Sequence, residues 1–242
     1  MPGSTALNSA ILVAPFSVSG ALSRTSLSVH ALLIVAVKKL DAIRIDHVLC
    51  YIAAFQYDED LSMSQLAPDS QLPVLQLSDL QHSATAQVII DLPRAQVWER
   101  LRDLGKAHYY VPRLTNTTIN TAQKEGVGTS RTVFPKGMAP MDETVIEWTE
   151  GYGFKIRLHR GERSAAPFKN AIFVYAIEDA GPGKTAFKPA IHYTLPGGAI
   201  VNAIGSLLLG GVMRGNVEQV AQKLKQYYET GKPSNPLFKE NG

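Results

Sequence analysis

The sequence predicts an α+β fold in which a curved antiparallel sheet wraps around one long C-terminal helix. Two observations carry this reading. Short segments of alternating apolar and polar residues, bounded by Gly, Pro, Asn or Asp, fill residues 84–195. One long helical pattern, Gly198 to Thr230, comes last. A sheet with one greasy face must bury it, and a lone helix can cover that face only if the sheet curves around it. Such an arrangement tends to leave an apolar chamber between the two.

Composition fits a packed domain and excludes several classes of partner. Of 242 residues, 45% are apolar and 19% charged, unlike a disordered chain. The net charge of +3 is spread thinly, without the Lys/Arg clusters of a nucleic-acid footprint. Cys50 is the single cysteine and reads as a small buried hydrophobe. No Cys/His grouping has zinc spacing, so no metal is expected. No run is apolar and long enough to span a membrane. Composition leaves the oligomeric state open.

The chain divides into unequal parts. Residues 1–40 lack Asp and Glu and hold seven serines within the first thirty positions, which suggests a transit peptide. Arg24 is the only arginine there, a poor match for an Arg-rich presequence. A secretory signal fits no better, because a basic n-region is missing before Ala10-Ile11-Leu12-Val13-Ala14. Residues 1–62 are therefore expected first to be an extension upstream of the real product, which Met63 would open. The expected location is cytoplasmic, with an organelle as the alternative if residues 1–40 are a targeting segment. Residues 63–83 read as a linker. The domain is expected to span 84–231 and to end in a tail, 232–242. Since it closes its own sheet, residues 1–62 are expected to be dispensable for folding.

Ala84 to Asp91 alternates as a half-buried strand. Pro93 then sits in the first turn of a helix carrying Val97, Leu101 and Leu104, which Gly105 stops. The aromatic turn His108-Tyr109-Tyr110-Val111-Pro112 follows. Strands are expected at Leu114–Thr121, Gly126–Phe134, Met141–Glu150, Phe154–Arg160, Ala171–Glu178 and Thr185–Leu195. Gly151-Tyr152-Gly153 and the Asp179–Lys184 loop read as hairpin turns. The final helix sets Ile200, Ile204, Leu207, Leu208, Met213, Val217, Val220 and Leu224 at helical intervals, and Gly231 ends it. An interfacial membrane helix would need a strongly charged opposite face, which this helix lacks.

Alternation assigns faces. Thr144, Ile146 and Trp148 are expected to face inward against Glu143 and Glu147. Phe154, Ile156 and Leu158 oppose Lys155, Arg157 and His159, and Phe187, Ile191, Tyr193 and Leu195 oppose Lys188 and His192. The outer face is expected to be wet, with the sheet covered on one side only. Arg131 is expected to face Thr144 on the inner side, where a guanidinium must find a carboxylate or a polar ligand. A register change of one residue would instead turn it to solvent.

This order of elements resembles the helix-grip superfamily, known as START-like or SRPBCC, and most closely its polyketide cyclase/dehydrase and lipid-transport branch. The marks are Val88-Ile89-Ile90-Asp91-Leu92-Pro93 before Val97-Trp98, and Gly126-Val127-Gly128-Thr129-Ser130-Arg131. Further on come Glu143-Thr144-Val145-Ile146-Glu147-Trp148 and Arg214-Gly215-Asn216-Val217-Glu218. The resemblance covers about Ala84 to Glu229. Plant hormone receptors of that superfamily carry a gate loop where this chain has Lys136-Gly137-Met138-Ala139-Pro140, which does not spell their motif.

No motif implies a cofactor. Gly183-Lys184-Thr185 echoes a phosphate loop, but Glu178 stands where its first glycine belongs, and the segment joins two strands. Gly126-Val127-Gly128 is a strand-entry turn, and no Gly-x-Ser-x-Gly elbow exists. Two functions remain. The first is binding of a small hydrophobic or aromatic molecule by Arg131, Ile146, Trp148, Ile156, Tyr175, Phe187, Tyr193, Leu208 and His108. Pockets for such ligands span about 300–1,000 Å³. The second is a cyclase- or dehydratase-type enzyme in which Arg131, Tyr175 or Tyr193 polarises a carbonyl and the walls fold the substrate.

Overall fold

A computed structural model describes residues 75–239, and within the last helix the side chains from Leu209 onward. The expectations for residues 1–62, Cys50 and the start at Met63 lie outside the described residues. Among the described residues, ten strands and three α-helices form one antiparallel sheet and its cover. These are β1 (His82–Thr85), β2 (Val88–Ile90), α1 (Arg94–Leu101), α2 (Ala107–Tyr110), β3 (Leu114–Ile119), β4 (Ser130–Pro135) and β5 (Met141–Thr149). Then come β6 (Gly153–Arg160), β7 (Arg163–Ser164), β8 (Asn170–Asp179), β9 (Thr185–Phe187), β10 (Ala190–Thr194) and α3 (Gly198–Thr230). The sheet runs β1-β10-β8-β6-β5-β4-β3, while β2 pairs with β9 and β9 with β8. This is the helix-grip arrangement that the sequence predicts.

Curvature comes from two breaks that face each other. The strand expected at Ala84–Asp91 stops at Ala86, and the one expected at Thr185–Leu195 stops at Lys188-Pro189. Pro189 has no N–H to give the ladder, and its carbonyl instead accepts the Ala86 N–H at 3.0 Å. The Lys188 N–H bonds the Ala176 carbonyl of β8 at 2.8 Å. β8 therefore pairs with β10 along its first half and β9 along its second.

Helix α3 begins after Gly197 (φ +99°) and ends at Gly231 (φ +69°), whose N–H bonds the Tyr227 carbonyl. Glycine adopts both left-handed conformations without a Cβ penalty. Leu209, Met213, Val217, Val220, Ala221, Leu224 and Tyr228 form its buried stripe at steps of three and four residues. Each large apolar side chain so buried contributes about 1.5–3 kcal/mol before entropy.

Three expectations need correction. The described end of the stretch read as linker, from residue 75, is part of the fold: a 3-10 turn occupies Leu77–Asp79, and β1 pairs from His82, opposite Tyr193. Nor is the outer sheet face simply wet. Leu75, Gln76 and Leu77 lie over it and, with Val127, Ile146 and Ile172, line a groove of about 490 Å³. Ile172 points outward beside Arg157 and His192, yet is buried.

The third correction is the tail. Ser234 and Asn235 are buried, and both their N–H groups bond the Tyr109 carbonyl at 2.9 Å. The Asn235 amide donates to the carbonyls of His108 and Leu114, each at 2.7 Å. These carbonyls belong to the corner between α2 and β3, which has no ladder to satisfy it. Asn235→Ala is expected to cost about 2–4 kcal/mol, because it strips the donors from two partly or fully buried carbonyls. Urea unfolding would measure this, and a loss under about 0.5 kcal/mol would show that the tail only rests on the surface.

Candidate functional site

The register of β4 on β5 places the polar centre. Val133 pairs with Met141, so Arg131 stands opposite Glu143, and Ser130 opposite Thr144. This is one residue away from the expected pairing, yet Arg131 stays inside and brings a carboxylate with it. Arg131 is 2% exposed and Glu143 9%. The guanidinium places Nε and Nη2 each 2.6 Å from Glu143 Oε2, and Nη1 donates to the Leu104 carbonyl at 2.7 Å.

Tyr175 and Tyr110 are buried beside Arg131, and Tyr228 lies edge-on to Tyr110. Burial pushes all three phenols above their ordinary pKa. Burial also disfavours charge on Arg131, but Glu143 and the neighbouring phenols outweigh it and raise the guanidinium above its usual value. The centre is therefore an ion pair with no net charge, ringed by protonated phenols. It can position a neutral oxygen. All three guanidinium nitrogens of Arg131 are engaged, Nε and Nη2 by Glu143 and Nη1 by the Leu104 carbonyl. The Tyr228 hydroxyl is buried without a partner among the described residues.

A β-bulge decides the faces of β5. Val145 pairs with Ile156 and Glu147 with Lys155, so Ile146 is the extra residue. Before it, Glu143 and Val145 face inward; after it, Trp148 does. Ile146, expected inside, lines the outer groove instead. Trp148 is inward as expected, but its indole N–H is held by Glu150 at 2.9 Å, and the Trp98 indole binds the same carboxylate at 2.7 Å.

Trp148, Phe154, Tyr175 and Phe187 follow one another with ring centroids 4.8–6.2 Å apart, which closes this end of the interior. Ile156 and Phe187 are inward and buried. Tyr193 is buried next to Phe168 and His82. The Leu208 side chain lies outside the described residues.

His108 does not join the polar centre. Its ring lies between Tyr109 and Phe238 of the tail, and burial lowers its pKa. His159 faces outward as expected but is buried, bonded to Thr144 Oγ1 at 2.8 Å and the Gly161 carbonyl at 2.7 Å.

Sequence reasoning missed Glu143, Tyr110 and Tyr228 as members of the polar centre. The signal for Glu143 was the acid required by a buried arginine. It also missed Phe173. That residue pairs with Ile156 and Ile191, both inward and buried, so it points at α3 from the middle of the sheet. Unlike them it is only partly buried.

Together the curved sheet, the long helix and the polar centre define a helix-grip protein of the START-like superfamily. A family described as polyketide cyclase / dehydrase and lipid transport matches residues 81–229, and the chain belongs to it. No curated protein matches the chain. Solved structures of similar fold include Ara h 8.0201, at TM-score 0.43 and 15% identity, covering 61% of this chain and 97% of that one. TTHA0849 from Thermus thermophilus aligns at TM-score 0.47 and 16% identity, covering 61% and 97%. The di-domain ARO/CYC BexL from the BE-7585A biosynthetic pathway aligns at TM-score 0.49 and 9% identity, covering 61% and 47%. Among the described residues, no helix is long and apolar enough to cross a membrane, and no cluster of His, Cys, Asp and Glu could hold a metal.

Proposed function

We propose that this protein binds a small, neutral, hydrophobic molecule between the sheet and α3. The observation that carries this is Phe173. It sits on a central strand and faces the helix, yet keeps accessible surface while its paired neighbours Ile156 and Ile191 are buried. A fully packed interior would bury all three. The neutral ion pair Arg131–Glu143 disfavours a charged ligand, because such a ligand would enter a dry site without a counter-charge. The buried phenols of Tyr110 and Tyr175 offer hydroxyls that orient an oxygen. We favour binding over a cyclase or dehydratase reaction because the donors of Arg131 are already committed.

The test is saturable binding of the neutral dye 1-aminoanthracene to the full chain. Phe173→Trp fills the space and is expected to weaken binding by about tenfold or more, while Val174→Trp, on the outer face, leaves it unchanged. If the wild type shows no saturable binding, or both variants bind equally well, the site is elsewhere or absent.

A further inference from the structure

One end of the domain collects cations in excess of acids. The register places four connections there: the α2–β3 corner, the β4–β5 loop, the β6–β7 turn and the β7–β8 loop. Leu114 pairs with Pro135, Arg160 with Arg163, and Asn170 with Thr194, three residues before α3 begins after Gly197. Arg160 Nε also donates to the Pro140 carbonyl at 3.1 Å, tying the β6–β7 turn to the β4–β5 loop.

Lys136, Arg160, Arg163 and Lys169 are all exposed on these connections, against the acids Asp142 and Glu162. Asp142 is occupied by Thr132 at 2.7 Å and the Gly161 N–H at 3.0 Å. Lys136, Arg163 and Lys169 form no ion pair among the described residues. The opposite end contrasts with this. There Arg94 pairs with Asp179, Arg102 with Glu125 and Glu150, Lys106 with Asp103, and Lys184 with Asp91.

At the tip of the β4–β5 loop, between these cations, stands Met138, 50% exposed. Half of that residue meets water, which disfavours its apolar side chain. An apolar tip at an end with an excess of Lys and Arg matches the boundary between anionic headgroups and acyl chains. It matches nucleic acid less well, since a phosphate backbone would gain nothing from the methionine. We propose that this end of the domain docks on an anionic lipid surface, with Met138 entering the headgroup layer and Lys136, Arg160, Arg163 and Lys169 against the headgroups.

The experiment is co-sedimentation of the full chain with vesicles of equal parts phosphatidylcholine and phosphatidylserine, against phosphatidylcholine alone. Binding is expected only to the mixed vesicles and should fall as salt rises. The double variant Lys136→Gln/Arg163→Gln removes two cations and is expected to weaken binding by about 25-fold, roughly fivefold for each. Met138→Ser is expected to weaken it severalfold, whereas Lys184→Gln at the opposite end leaves it unchanged. These positions are exposed, so circular dichroism should show each variant folded. Absence of binding to the mixed vesicles, equal binding by all variants, or binding to duplex DNA at the same salt but not to lipid would overturn the proposal.

Discussion

Glu143→Gln will destabilise the protein by about 3–5 kcal/mol, because it leaves the buried charge of Arg131 without its counter-ion. In a domain of this size that corresponds to a fall in Tm of roughly 6–20 °C. The cost comes from breaking the pair and not from its net strength, since desolvation of both ions offsets much of their attraction. Arg131→Met combined with Glu143→Leu is therefore expected to recover most of the loss, although the Leu104 carbonyl then lacks its donor. Urea unfolding of the single and double variants checks both statements. A single variant within about 1 kcal/mol of the wild type would mean that water reaches the guanidinium.

Gly153→Ala is expected to be worse, at more than about 4 kcal/mol. A Cβ built at Gly153 would lie 1.9 Å from the Tyr175 carbonyl oxygen and 3.0 Å from its carbon, both part of the neighbouring strand. Its φ of +139° also disfavours any L side chain. β6 and β8 would have to separate beside Tyr175, taking the polar centre with them. Gly161→Ala is the control, because φ is +56° there but the space is open. It should cost only about 1–2 kcal/mol. Thermal melting distinguishes the two, and similar melting temperatures would contradict the steric argument.

The sequence made the skeleton readable where glycine, proline and period agree. Gly197 and Gly231 bracket α3, and each strand of the main sheet lies within or close to its expected segment. It left the register of β4 and β5 ambiguous for an identifiable reason. Val133-Phe134 and Val145-Ile146 are adjacent apolar pairs, and alternation cannot say which member faces inward. In each the structure buries the valine. A bulge then carries Ile146 to the outside, and loop geometry pairs Arg131 with Glu143.

The site was correspondingly half legible. Arg131, Tyr175, Ile156 and Phe187 are inward and buried; Ile146 is not, and His108 sits against the tail. Asn235 was missed because its partners are backbone carbonyls, which carry no residue-specific signature. Phe173 was missed because partial exposure of an inward residue is a property of packing alone.

The pairing of β1 with β10 has a consequence for how the chain is made. β1 leaves the ribosome more than a hundred residues before its partner in the sheet, His82 being opposite Tyr193. At translation rates of about 5–20 residues per second, that strand waits roughly 5–20 s with its edge unsatisfied. The helix that covers the concave face arrives later still. Local hairpins such as β5–β6 can form during this interval, but closure of the sheet must wait for α3. Nascent chains stalled before Gly198 should therefore expose apolar sheet and recruit chaperones, and release of the helix should end that exposure.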